Sequence, residues 1–295
     1  MSKNPIISIV LPVIDDQNNL NRILAELASN PADNSWEVIV VDDGSKTPLQ
    51  IPENSQESWH LFRNETRQGA AISRNRGAEI AIGEHLVFLS VFLKIPADYI
   101  QKMRQFINEH EFDFAQHLIV SEPEINTTHF QQYLTGHKDR LGSSSTSLHI
   151  KNCQFAAAVI KKETFSSVQG FDESMQHYGG HELDIVYRLD QAGQSKRILV
   201  EGLSLPRVSV ENHRAIQSKL REYGKTGLPN LLSKHPELQR TIIVKPILWT
   251  IISVLGIPRI LEKHYFEQIE ADKPLSNYSY RIYLHLIVRN AWDAR

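Results

Sequence analysis

The chain has 295 residues, 41 % hydrophobic and 22 % charged, with a formal net charge of −2. This is the composition of an ordinary globular protein, and the lack of a strong basic excess argues against nucleic acid as a main partner. The charge is uneven, since residues 1–200 hold 18 basic against 25 acidic side chains, a net of −7, and residues 201–295 hold 14 against 9, a net of +5.

The opening MSKNPIISIVLPV has too short an apolar run for a signal peptide, and Pro12 interrupts it. Ile6–Leu11 reads as a short buried strand. In the stretch that follows, Leu20, Ile23, Leu24 and Leu27 share a helical face, with Asp15, Asp16 or Asn18 as the cap. Trp36–Val41 is a continuous apolar run, as expected of a parallel strand covered on both faces. It stops at Asp42-Asp43-Gly44-Ser45, which is turn chemistry. Ligands in open α/β sheets sit just outside the carboxyl ends of such strands. Either Asp42 or Asp43 meets a ligand there, or the pair is a solvated turn.

Lys46–Ser58 reads as loop and His60–Arg63 as a strand. Gln68–Ile82 is a helix whose Ala70, Ala71, Ala78 and Ala81 let it lie close to a sheet. His85–Leu89 is a further buried strand, and Pro96 opens a helix with Tyr99, Ile100, Met103 and Phe106 on one face. This alternation predicts a mostly parallel α/β sheet.

Phe112–Val120 reads as a strand, and Ser121–Lys151 as a polar, irregular connection. Cys153 is the only cysteine, so no intramolecular disulfide can form and a reducing compartment is expected. Beside Phe155 and Ala156 it reads as a small core residue. Phe155–Ile160 is a strand, Lys162–Val168 a short helix and Glu182–Gln191 an amphipathic helix ended by Gly193. Arg197–Val200 and Arg207–Val210 read as two strands. From His213 the pattern is helical, with Ile216, Leu220 and Tyr223 on one face, and Tyr278–Trp292 is the last helix. Thr241–Leu255 is the most apolar stretch of the chain, but it is only about fifteen residues and contains Lys245 and Pro246, whereas a span needs about 20 apolar residues. It is expected to be a core segment, a subunit contact or a membrane-surface attachment within 241–270.

Four blocks stand in order: Pro12-Val13-Ile14-Asp15, VIVVDDGS, GAAISRNRGAEIAIGEHLVFL and GFDESMQHYGGHELDIVYRLDQAG. Together they resemble the family 2 glycosyltransferases, inverting enzymes of the GT-A fold, over roughly residues 5–215. The most specific parts are Arg74-Asn75-Arg76-Gly77 and Gly170–Gly193. The resemblance implies an α/β, Rossmann-like, mostly parallel sheet with helices on both faces, in a domain of residues 1–212, and a helical C-terminal region of 213–295. It also implies a nucleotide-diphosphate sugar donor, with a UDP-sugar expected, and a glycan or lipid-linked acceptor. Pro12, Val13, Ile14 and Asp15 would lie under the nucleotide, Asp43 would meet the base edge and Arg74 would sit near the diphosphate. Acceptor choice would fall to Ser121–Lys151 and the C-terminal helices. The implied location is cytoplasmic, or peripheral at the inner face of a membrane.

The chain departs from the family in two places. Where the family has Asp-x-Asp, this sequence has Ser90-Val91-Phe92, and neither Ser90 nor Phe92 is a good ligand for Mg²⁺ or Mn²⁺. Ser90 and Val91 remain expected donor contacts, no metal cofactor is expected, and Lys94 or Arg76 would supply positive charge to the diphosphate. Where the family has Gly-Gly-Glu-Asp, this chain has Gly179-Gly180-His181-Glu182, so Glu182 stands at the position of the catalytic base. His213 matches a histidine that often completes the metal shell; without the aspartates it reads as structural. Two functions follow: a metal-independent transferase, or a degenerate relative that binds a nucleotide sugar or a partner without turnover.

Overall fold

The computed structural model describes residues 6–53, 56–121, 128–135, 148–175, 178–209, 211–239 and 255–294. They cluster into two compact units, one of Met1–Glu122, His137–Gln176 and Glu182–Val208, the other of Pro123–Gly136, His177–His181 and Ser209–Arg295.

The first unit is built on seven strands: β1 (Ile7–Val13), β2 (Trp36–Asp42), β3 (Trp59–Arg63), β4 (His85–Leu89), β5 (Phe114–Ser121), β6 (Ala157–Lys161) and β7 (Arg197–Arg207). Their order in the sheet is β3-β2-β1-β4-β6-β5-β7. Strands β3, β2, β1 and β4 are parallel neighbours, and β6 is antiparallel to both β4 and β5. The mostly parallel sheet expected from the alternation of elements is therefore present. Among the described residues, the α-helices of this unit are α1 (Gln17–Ala28), α2 (Ala70–Ile80), α3 (Tyr99–Glu109), α5 (Lys162–Ser167) and α6 (His181–Gln191), the last with His181 in the other unit. Asp16 caps α1 by accepting from the Asn19 N–H.

Side chains alternate across the strands and so feed two cores. Ile7, Ile9 and Leu11 of β1 pack with Leu20, Leu24, Ile100 and Met103 from α1 and α3. Val10, Ile39 and Val41 pack on the opposite face with Ala71 and Ala78 of α2, Phe165 of α5 and Ile185 of α6. Cys153 is buried on this second face, and burial pushes its thiol up to about 12, as suits an inert core residue. Gly77 brings α2 onto the sheet: a Cβ there would lie 2.4 Å from Val10 Cγ1.

One expectation fails in the second half of the sheet. Arg197–Val200 and Arg207–Val210 are not two strands. A single strand β7 runs from Arg197 to Arg207, with its register against β5 shifted between His117 and Ile119, and Gly202 takes a φ of 70°. Gly202 lies in the gap between the two expected strands, where it absorbs a bulge within one strand. Val210 lies outside the described residues. A second difference is α4 (His129–Thr135), a helix inside the stretch expected to be irregular.

In the second unit, α4 accompanies α7 (His213–Glu222), a π-helical turn at Tyr223–Gly227, α8 (Leu228–Lys234), α9 (Ile257–Glu270) and α10 (Asn277–Asp293). Its core is aromatic: Phe130, Tyr133, Tyr280 and Tyr283 gather with Ile269 and Ile287. Of the apolar stretch Thr241–Leu255, only Leu255 is described, and it is exposed. Among the described residues no helix is long and apolar enough to cross a membrane.

Two outcomes follow. Gly77→Ala should cost about 1–3 kcal/mol, because the stiff Val10 side chain must move within a packed core; a lower urea midpoint at unchanged slope is the readout. The second concerns His117 of β5, which stacks on Tyr99 and lies 3.1 Å through Nδ1 from the Ala157 carbonyl oxygen. Burial pushes its imidazole down to about 4, against the opposing pull of that carbonyl. The folded state thus takes up the proton less readily than the unfolded chain. Stability from this group is complete above about pH 6.5 and is lost as pH falls toward 4, by roughly 1.4 kcal/mol per pH unit. Denaturation curves from pH 7 to 4 should show that decline, and it should be shallower in His117→Gln.

Candidate functional site

The carboxyl ends of β1 and β2 are laced together. The Asp43 N–H donates to the Val13 carbonyl at 2.8 Å. Asp15, with a φ of 51°, donates its N–H to Ser45 Oγ at 2.9 Å and accepts the Lys46 N–H on Oδ1 at 2.8 Å. Pro12 and Ile14 are half-buried, Val13 is buried and Asp15 is exposed, so the turn presents a short rim that ends in a carboxylate.

Neither carboxylate of the Asp42-Asp43 pair is solvated, which removes the simple turn reading. Asp42 accepts the N–H groups of Ser45 at 2.8 Å and Leu49 at 3.2 Å, and it is paired with Arg63. Burial works against its charge, but the bonds from Ser45, Leu49 and Arg63 prevail and hold the carboxyl below the usual range. Asp43, only 5 % exposed, points the other way. Its Oδ1 accepts from Asn64 Nδ2, the Gln68 N–H and Ser73 Oγ, each at 2.9 Å, and its Oδ2 accepts the Gly69 N–H at 2.9 Å. The loop from β3 to α2 is thereby gathered onto one carboxylate at a helix N-terminus, where negative charge is favoured. Gly44, φ 74°, permits the approach, since a Cβ would lie 2.4 Å from the Thr66 carbonyl carbon.

Each residue of Arg74-Asn75-Arg76-Gly77 has a separate partner. Arg74 is buried on α2, with Nη1 3.3 Å from Glu182 Oε1 and its guanidinium 5.5 Å from the centre of the Phe171 ring. Asn75 brackets Phe171, donating Nδ2 to its carbonyl and accepting its N–H on Oδ1, both at 2.8 Å. Arg76 donates to the Arg63 carbonyl at 2.9 Å and to Asn64 Oδ1 at 2.7 Å. Gly77 seats the helix on Val10. The two blocks that carried the resemblance thus lie against each other. Arg76 thus ties α2 to the end of β3 through Nη1.

Glu182 opens α6 after Gly179 and Gly180, both at positive φ. Its side chain is 30 % exposed, and Oε1 accepts the Phe155 N–H at 3.1 Å beside Arg74. Burial lowers the Arg74 pKa and Glu182 raises it, so the carboxylate compensates a cation that the core alone would disfavour. Two residues on, Asp184 is buried and grips Arg188, which also donates to the Gly170 carbonyl at 2.7 Å. The i,i+4 spacing of Asp184 and Arg188 was the available signal for that brace.

The segment after β4 is a turn. Leu93 donates its N–H to the Ser90 carbonyl at 3.1 Å, and Ser90 Oγ accepts from the Phe92 N–H at 3.3 Å. Ser90 and Phe92 are half-buried, with Phe92 packed on the first core. Val91 is in that core, so the donor contact expected of it does not fit its side chain; its carbonyl accepts from Arg22. Arg22 also donates to the Leu93 carbonyl at 3.1 Å and pairs with Glu26, whose Oε2 accepts the Ile95 N–H. Reading the sequence did not find this strap from α1. Lys94 is exposed, and its N–H donates to the Pro206 carbonyl. A hydroxyl and a phenyl ring are not a donor set for a hard divalent cation. Among the described residues no three or more His, Cys, Asp or Glu side chains gather as metal ligands.

His213 belongs to the second unit. Its Nδ1 lies 3.0 Å from Glu270 Oε1, Nε2 contacts the Tyr283 hydroxyl, and Phe130 and Phe266 enclose the ring. Burial lowers its pKa, with Glu270 pulling the other way. It serves there as a core histidine.

The internal bonds of Asp43 give a test. Asp43→Asn replaces one acceptor oxygen with a donor that faces N–H groups, at a cost of about 1.5–3 kcal/mol, the range for hydrogen bonds to a charged group. Faster amide exchange at Gln68 and Gly69, ahead of global unfolding, should accompany the loss.

Comparison with known proteins follows the same lines. The sequence model of glycosyl transferase family 2 matches residues 8–168. The chain is 26 % identical over 210 residues to human polypeptide N-acetylgalactosaminyltransferase 16, covering 61 % of this chain and 36 % of that one. It is 30 % identical over 118 residues to the putative teichuronic acid biosynthesis glycosyltransferase TuaG of Bacillus subtilis, covering 38 % of this chain and 45 % of that one. It therefore spans less than half the length of either relative. The mannosyltransferase PcManGT of Pyrobaculum calidifontis, solved with GDP-Man and Mn²⁺, aligns over 100 % of this chain and 89 % of its own, with a TM-score of 0.62 at 13 % identity. TarS of S. aureus aligns over 98 % of this chain and 55 % of its own, with a TM-score of 0.54 at 15 % identity. At such identities the two structures speak for the fold, GT-A, while the sequence match carries the family: the chain belongs to glycosyl transferase family 2.

Proposed function

We propose that this protein is a glycosyltransferase that moves a sugar from a nucleotide-diphosphate sugar to an acceptor hydroxyl, with inversion and without a divalent metal at the Asp-x-Asp position. Family membership supports the reaction class. Structural neighbours solved with GDP-Man and with UDP-GlcNAc support the donor class, and a UDP-sugar is the form we favour. The observation that carries the mechanism is the contact of Glu182 with Arg74 at 3.3 Å. In this reading Glu182 takes the proton of the acceptor hydroxyl as its oxygen bonds to the anomeric carbon. The bond from that carbon to the diphosphate breaks on the opposite side, and the nucleoside diphosphate leaves. The Phe155 N–H and Arg74 hold the Glu182 carboxylate in place. Arg74 also places a cation near the leaving charge, the task a metal performs elsewhere. The rim of Pro12–Asp15 takes the nucleotide, beside the loop that Asp43 organises, and Lys94 adds an exposed cation after β4. The acceptor is a glycan or a lipid-linked sugar.

The second reading is a relative that binds a nucleotide sugar or a partner without turnover. Its support is the absence of carboxylates at Ser90 and Phe92, together with a Glu182 already engaged by two chain groups.

Donor hydrolysis and transfer, with and without EDTA, separate the two. Under our reading most turnover survives chelation. Glu182→Gln keeps donor binding and lowers turnover by roughly 10²–10⁴, the usual contribution of a general base. Glu182→Asp restores part of it. Near-normal turnover in Glu182→Gln would put the base elsewhere. No turnover on any nucleotide sugar, with UDP binding intact by calorimetry, would establish the second reading.

A further inference from the structure

Helix α9 buries Pro258, Glu262 and Ile269 against its neighbours in the second unit. The helical period puts Ile257, Ile260 and Leu261 on another face, and Arg259 with Lys263 on a third, beside it. Ile260 is 67 % exposed and Leu255, just before the helix, 64 %, with Ile257 and Leu261 also open. Of the seven large hydrophobic side chains exposed among the described residues, four fall in these seven positions, so the exposure is a patch and not scatter.

The basic face borders a cleft of about 550 Å³ lined by Arg221, Lys225, Arg259, Lys263, Glu262 and Asn290, among others. Glu262 is neutralised within it, 2.7 Å from Arg221 and 2.7 Å from Asn290 Nδ2. Lys263 has one loose, exposed contact, 4.0 Å from Glu267. Lys225 and Arg259 pair with no carboxylate of the described residues. An unneutralised basic cleft therefore lies alongside an exposed apolar stripe.

We propose that this surface seats the protein on an anionic membrane, with α9 in the plane of the interface. Leu255, Ile257, Ile260 and Leu261 enter the boundary between head groups and acyl chains, and Lys225, Arg259 and Lys263 meet lipid phosphates. An amphipathic helix with a basic border binds in this way, by apolar burial plus attraction to anionic lipid. The charge selects the occupant. A second copy of this chain would bring the same basic cleft to an isologous contact and set like charges together, whereas an anionic bilayer supplies both the apolar phase and the counter-charge. The sequence agrees, since its most apolar stretch, Thr241–Leu255, leads directly into α9.

The test uses the full chain and sedimentation with vesicles of phosphatidylcholine alone or with about one third phosphatidylglycerol. Binding should require the anionic lipid and weaken with salt. Arg259→Glu with Lys263→Glu should lower partitioning by on the order of tenfold or more. Ile260→Asp with Leu261→Asp should do at least as much, while circular dichroism and thermal melting stay as in the wild type, since all four side chains are solvent-facing. Equal binding to both vesicle types, no binding to either, or unchanged partitioning in both double variants would overturn the proposal. So would an Ile260→Asp, Leu261→Asp protein that loses self-association by light scattering yet still binds vesicles, because the stripe would then be a subunit contact.

Discussion

A buried carboxylate at the end of the second strand sets the geometry of the candidate site. Asp43 collects two backbone N–H groups, an amide and a hydroxyl, and these come from the end of β3, the loop after it and the first turn of α2. A carboxylate removed from water requires such donors, and the donors are in turn fixed by it. The start of α2 is therefore defined by electrostatics, and everything that α2 carries inherits that position.

From that start, four successive residues of α2 reach four different places. Arg74 meets Glu182, Asn75 brackets Phe171, Arg76 ties off β3, and Gly77 lets the helix touch β1. The successive positions turn through about 100° each, so neighbours on a helix point to different elements. A compact motif in the sequence is thus a junction in space. The Arg74–Glu182 contact is the consequence of most chemical interest, because it places a cation and a partly exposed carboxylate together beside the carboxyl ends of a parallel sheet.

The turn after β4 shows how a departure from a family pattern is accommodated. Where carboxylates would need a cation, Ser90 and Phe92 form a half-buried turn strapped to α1 through Arg22 and Glu26. In the proposed reaction the positive charge for the leaving diphosphate comes from side chains, which is why Arg74 matters to it. The second unit carries a separate chemistry of its own, an aromatic core around His213 and a basic, apolar-edged face along α9.

Most of the order of the elements was legible in the sequence by itself. Continuous apolar runs such as Val38–Val41 and helical stripes such as Leu20, Ile23, Leu24 and Leu27 are local patterns, and burial follows from them directly. The family was legible for the same reason, since its blocks are short and keep their spacing. The sequence also supplied grounds to expect a poor metal site at Ser90 and Phe92, because that expectation rests on side-chain chemistry alone. What it left open were facts about pairs of distant residues. Arg197–Val200 and Arg207–Val210 read as two strands, and only pairing with β5 joined Arg197–Arg207 into one. That Arg76 reaches Asn64 and the β3 carbonyl through Nη1 is a fact of packing. Asp42 and Asp43, adjacent in the chain, point to opposite partners, and no local rule says which loop each will hold. Hydrogen-bond partners tens of residues apart are chosen when the sheet and helices pack, so tertiary structure alone decided which charges are internal struts and which remain facing solvent.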